Sequence, residues 1–218
     1  MGYSVNKDGY LVDKNGYLVE LQTDDKGNIT LGNIHADTDV VGDASKGSIN
    51  QTGDIVADNE GNGVGEVRLT AKDGMTLGDN GVVKGADITL EVGNGDIDVK
   101  NLIADGQVYD ENGNVVGNSD DHGNISIHTP NGNVTVDDTT GTHDVTIVTD
   151  NGKATVTDTA ADSEENGQGT LTIKATDDVV ASNDEGANVV IETKGDIDAD
   201  DLVAHAPGAG EDGQGAGN

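Results

Sequence analysis

Hydrophobic and polar positions along this chain fall into one recurring phrase. A small residue, most often Gly, is followed by a polar residue, a β-branched or aliphatic one, another polar one and another aliphatic. It reads Gly27-Asn-Ile-Thr-Leu31, Gly47-Ser-Ile49, Gly65-Glu-Val-Arg-Leu69, Ala86-Asp-Ile-Thr-Leu90, Gly106-Gln-Val108, Gly123-Asn-Ile-Ser-Ile127, His143-Asp-Val-Thr-Ile147, Gly169-Thr-Leu-Thr-Ile173 and Ala187-Asn-Val-Val-Ile191. The starts are 20, 18, 21, 20, 17, 20, 26 and 18 residues apart, a mean of 20. Alternation with period two predicts short strands buried on one face. Recurrence at a fixed interval predicts that each phrase is one unit of a repeat architecture.

Most units carry a second short strand, as at Gly53-Asp-Ile-Val-Ala57, Gly95-Asp-Ile-Asp-Val99, Gly132-Asn-Val-Thr-Val136, Gly152-Lys-Ala-Thr-Val156 and Gly195-Asp-Ile-Asp-Ala199. Two add a third, Leu102-Ile-Ala104 and Leu202-Val-Ala204. Asn-Gly pairs at Asn94, Asn131 and Asn151 separate the runs. Such pairs also signal hairpins, which would give an antiparallel sandwich or barrel. The coiled alternative fits the single repeat length better. The fold expected is therefore all-β, a single-stranded parallel β-helix (β-solenoid) of about nine coils of ~20 residues. Ile29, Ile49, Val67, Ile88, Val108, Ile125, Val145, Leu171 and Val189 would form one internal stack.

The flanks divide the chain further. Residues 1–26 hold a shorter repeat, Gly2-Tyr-Ser-Val5, Gly9-Tyr-Leu-Val12 and Gly16-Tyr-Leu-Val19, expected to be a β cap on a solenoid spanning 27–206. The polar run 158–168 is expected to leave one corner as a loop, and residues 207–218, Gly-rich without aliphatics beyond Ala, to be disordered.

Composition agrees with a thin core. There is no Phe, Trp or Cys, and there are four Tyr, two Met and 33 Gly. A thick core between packed layers normally draws on aromatics; Ile, Val, Leu and Ala suit a core one side chain across. The formal charge is −31, and Arg68 is the sole arginine. Nucleic acid is therefore excluded as a partner, for want of any basic patch. No segment has the apolar length to span a bilayer, so no membrane insertion is expected. No secretory leader is legible at Met1, and the chain is read as a piece of a larger protein.

Runs such as Gly85-Ala-Asp-Ile-Thr-Leu-Glu-Val-Gly-Asn-Gly-Asp-Ile-Asp-Val-Lys-Asn-Leu-Ile-Ala-Asp-Gly106, with the similar phrase from Gly186 to Ala204, resemble the repeat region of filamentous haemagglutinin-like bacterial exoproteins. The likeness covers about residues 27 to 206. It implies a right-handed helix, export by a two-partner route, and a role as a non-enzymatic adhesin shaft, extracellular or on the bacterial surface. Its partners would be a host-cell receptor or a glycan, met through loops or flanking domains by a monomeric rod. The family's Asn-Pro-Asn secretion motif does not occur here. Residues 3–34, with their Gly-Tyr-Leu-Val phrases, also resemble flagellar hook and rod proteins, which keeps a flagellar or phage structural segment as an alternative.

Candidate chemistry is sparse. Asn6-Lys-Asp8-Gly9, Asp13-Lys-Asn15-Gly16, Asp25-Lys-Gly27 and Asp110-Glu-Asn112-Gly113 look like fragments of a calcium loop, but the Glu at its twelfth position is missing. They read as turns, in which Asp bonds its own backbone two residues on. Asp120-Asp121-His122, and Asp198, Asp200 and Asp201 with His205, are the clusters a polysaccharide-active enzyme would need; they sit in polar turns with no second arginine. Histidines 35, 122, 128, 143 and 205 show no zinc spacing. No catalytic residue, cofactor or metal is therefore expected. Asn28, Asn50, Asn124 and Asn133 open glycosylation sequons.

Overall fold

The computed structural model describes residues 3–5, 11–13, 24–58, 63–79, 81–110, 112, 114–118, 122–161 and 169–205. Among these residues the chain is all-β, with a thirteen-stranded, a seven-stranded and a two-stranded sheet. Every pairing in the seven-stranded sheet is parallel. So is every pairing in the larger one except that of Tyr3–Val5 with Leu11–Asp13. From Asp87 onward the chain alternates between the two long sheets, and each passage adds one strand to each. These long parallel sheets are compatible with a β-helix.

The seven-stranded sheet runs through Val40–Ala44, Glu66–Ala71, Asp87–Val92, Ile125–Thr129, Val145–Thr149, Thr170–Lys174 and Asn188–Glu192. Its inward row is Val40, Val67, Ile88, Ile125, Val145, Leu171 and Val189. The expected stack is thus kept from Val67 onward, with two corrections. Ile29 and Ile49 lie in the other sheet, in a row that continues through Met75 and Ile97 to Val134, Ala154, Val179 and Ile197. Val108 belongs to neither long sheet. It sits in an antiparallel hairpin, Gln107–Tyr109 with Val115–Asn118, inserted between two passages. Register partners in the longer row stand 20, 26, 22, 37, 20, 25 and 18 residues apart. The same phrase serves two faces, so a mean spacing of 20 does not distinguish them.

The larger sheet bends at one corner. Ile97–Ala104, Val134–Gly141, Ala154–Ala161, Val179–Gly186 and Ile197–Ala204 are eight-residue strands, each with one left-handed residue: Asn101, Asp138, Asp158, Asn183 and Asp201, with φ between 47° and 55°. Asn and Asp tolerate this region better than other non-Gly residues. Inward alternation resumes one residue later, giving the pattern BiBieBiB in three of these strands. Leu102–Ala104 and Leu202–Ala204 are thus second halves of bent strands. Before Ile97 the corner is open, and the sheet divides into two columns of shorter strands that meet the two halves of Ile97–Ala104.

Both long sheets feed one continuous core of Ile, Val, Leu, Ala and Met from Ile29 to Ala181. Ile49, Ile55, Leu69, Leu90, Ile97, Ile125 and Ile147 are among its fully buried side chains. Each such side chain contributes on the order of 1.5–3 kcal/mol relative to exposure. A second corner is built from the Asn-Gly pairs. An added Cβ at Gly132 would stand 2.0 Å from the Gly95 carbonyl oxygen, and one at Gly152 2.0 Å from that of Gly132. These glycines permit close stacking of successive backbones. Thr129 and Thr149 donate their hydroxyls to the Gly95 and Gly132 carbonyls at 3.0 and 2.6 Å.

Candidate functional site

The acidic and amide side chains are used differently from the sequence expectation. Some do close local turns. Asp24 Oδ1 accepts the backbone N–H of Lys26 and Asn28, and Asp110 Oδ1 those of Asn112 and Asn114. The Asn114 side chain and then its backbone lower the Asp110 carboxyl to a pKa of about 2. Many others bond the backbone of the adjacent strand instead. Ser48 N–H donates to Asn28 Oδ1, Asp54 to Asn33, Val82 to Asp54, Asn133 to Asp96, Lys153 to Asn133 and Asp196 to Asp178, at 2.7–3.0 Å. A second series runs along the seven-stranded sheet, where Glu66 N–H donates to Asp39, Asn124 to Asp87, Asp144 to Asn124 and Thr170 to Asp144. Asx residues at strand entries thus staple one strand to the next along the stack.

Among the described residues, one group of three metal-ligating side chains grows out of this second series. Parallel pairing sets Glu66 beside Asp87 at the entries of adjacent strands. Asp87 Oδ1 is held by the backbone N–H and the side-chain amide of Asn124, at 2.8 and 3.1 Å. Its Oδ2 faces His122 Nδ1, and one donor atom from each of Glu66, Asp87 and His122 lies within 4.8 Å of the others. All three side chains are half-buried. Arg68 is bonded to Glu66 Oε2. No sequence spacing signals this group, because 21 and 35 residues separate its members and the hairpin lies between the last two.

The other expected positions disperse. Residues 6–10, 14–23, 111, 113, 119–121 and 206–218 lie outside the described residues, so three of the calcium-like fragments are not placed in full, nor are Asp120, Asp121 or the tail. Of the polar run 158–168, residues 158–161 belong to the strand Ala154–Ala161, and 162–168 lie outside the described residues. Asp198, Asp200 and Asp201 are exposed on the last strand, while His205 pairs with Glu185 at 3.2 Å. His128 meets Asp150 at 3.2 Å, and His35 is exposed. Both ring nitrogens of His143 are covered without a hydrogen-bond partner among the described residues. Three of the four sequon asparagines, Asn28, Asn124 and Asn133, are engaged in the strand-to-strand series. The Tyr109 hydroxyl is bound by Asp105 and Gln107.

No family model, curated protein or solved structure matches this chain. No helix among the described residues is long and apolar enough to cross a membrane.

Proposed function

We propose that the chain is a right-handed parallel β-helix and serves as a non-enzymatic shaft segment of a secreted or cell-surface adhesin-type protein. The observation carrying this reading is the continuous parallel register of both long sheets, reinforced by Asx residues that bond each strand to the next. Bonds along the stack resist extension and bending, which is what a spacer requires. A count of about nine coils belongs to the same proposal, and the parallel path of nine strands from Tyr3–Val5 to Ile197–Ala204 supports it. Right-handedness follows from the strong preference of parallel crossovers. The resemblance to haemagglutinin-like repeats gives the biological setting, with a host receptor or glycan bound outside the shaft.

The pairing of Tyr3 with Ile34 joins the N-terminal hairpin to the large sheet, which supports a cap and weakens the flagellar alternative. The dense negative charge keeps such a rod soluble and opposes side-to-side association. Screening the purified chain against acidic and neutral glycans tests the reading. No cleavage product is expected. Products abolished by Asp200→Asn with Asp201→Asn would overturn it in favour of a polysaccharide-active enzyme.

A further inference from the structure

We propose that Glu66, Asp87 and His122 form a binding site for one borderline divalent cation of the zinc class, at the strand entries of the seven-stranded sheet. The donor set decides the class. An imidazole nitrogen with two carboxylates suits zinc and its transition-metal neighbours, whereas calcium and magnesium take oxygen donors. Three protein donors leave coordination positions for water.

The geometry is built rather than incidental. At this strand-entry row the residues are Asp39, Glu66, Asp87, Asn124 and Asp144, and each of the Asx members passes its side chain to a neighbouring backbone N–H. Glu66 is the exception. It carries one more methylene, and its carboxylate lies beside Asp87 and His122, with Arg68 on its Oε2. Two bonds from Asn124 hold Asp87 Oδ1 and so aim its Oδ2 at the cluster. Like charges on adjacent strands repel, which favours any cation placed between them. Donors on a single zinc stand about 3.3 Å apart, given bonds of about 2.0 Å. Atoms already within 4.8 Å need only small side-chain rotations to close on it.

His122 is the first described residue after residues 119–121, which follow the inserted hairpin. A cation here therefore ties the return of that insertion to two strands that precede it. Bound metal would hold the insertion in place on the rod.

Calorimetric titration of the metal-free full chain with zinc chloride tests this. One equivalent is expected to bind with a micromolar dissociation constant. His122→Gln should weaken it at least tenfold, while His128→Gln and His205→Gln should leave it unchanged. Excess magnesium or calcium chloride should not compete. Zinc at a hundredfold excess over Kd should raise Tm by about 5 °C or more in the wild type, and not in His122→Gln. Glu66→Gln provides a second variant, and the circular dichroism of each metal-free variant establishes that it is folded. Zinc binding unaltered by His122→Gln, loss spread equally over His128→Gln and His205→Gln, or no binding below millimolar zinc would each overturn the proposal.

Discussion

Asp184→Asn is expected to alter stability in a pH-dependent way that isolates one buried carboxylate. Asp184 occupies an inward position of the bent strand Val179–Gly186, following Thr139 and Thr159 in the preceding strands and opposite Leu202 in the next. It is fully buried; Oδ1 accepts the Thr159 N–H at 3.0 Å, and Oδ2 has no partner among the described residues. Burial pushes its pKa from 3.8 up to about 6, against the backbone hydrogen bonds from Thr159 and Ser182, and the Asp158 charge raises it further. A shift of about two units corresponds to about 3 kcal/mol. The folded-state pKa lies above the unfolded one, so the protonated form favours folding. Stability from this site is present in full below about pH 4, and is lost as pH rises towards and through about 6. Asn keeps the acceptor for Thr159 and cannot ionise. Urea unfolding of both proteins from pH 3 to pH 8 at constant salt should therefore show Asp184→Asn gaining about 3 kcal/mol on the wild type across that range. The repulsion of the remaining acidic surface acts on both proteins and largely cancels in the difference. A stability difference that does not change with pH would refute the reasoning.

Four further outcomes are expected. Ile125→Asp places an unpaired charge in the aliphatic row between Ile88 and Val145, and should lower stability by at least about 3 kcal/mol in chemical denaturation; an unchanged Tm would refute the row. Gly132→Ala forces a Cβ against the Gly95 carbonyl, with a loss of about 1–3 kcal/mol, measured in the same assay. Asn133→Ala removes the acceptor for the Lys153 N–H and should cost about 1 kcal/mol. Tm should rise with sodium chloride as the −31 charge is screened, and calcium should match magnesium at equal ionic strength; a stoichiometric micromolar calcium site by calorimetry would refute the assignment of Asp24 and Asp110 to turns.

How far local pattern reaches is visible at particular residues. Period-two alternation places Ile88, Leu90, Ile125, Ile127, Val145 and Ile147 inward, because a strand's two faces are set by its own backbone. Aliphatic composition without Phe or Trp likewise specifies a thin core. Which strand pairs with which is not a local property. Gly27-Asn-Ile-Thr-Leu31 and Gly123-Asn-Ile-Ser-Ile127 are nearly the same phrase, yet they lie in different sheets. Gly106-Gln-Val108 matches the phrase but pairs with Val115–Asn118 in an antiparallel hairpin. An alternating strand can satisfy its pattern against any apolar neighbour, so register waits on the whole stack. The Asx residues show the same division. Their abundance at strand entries is legible, but an Asp can bond its own turn or a strand about 20 residues away, and local chemistry does not choose between them. The close approach at Gly132 and the meeting of Glu66, Asp87 and His122 depend on distances between layers. Sequence determined the alternation, the thin aliphatic core and the Asn-Gly breaks between runs, since these are properties of a few consecutive residues. Tertiary structure alone decided the register, and with it every contact that crosses from one layer to the next.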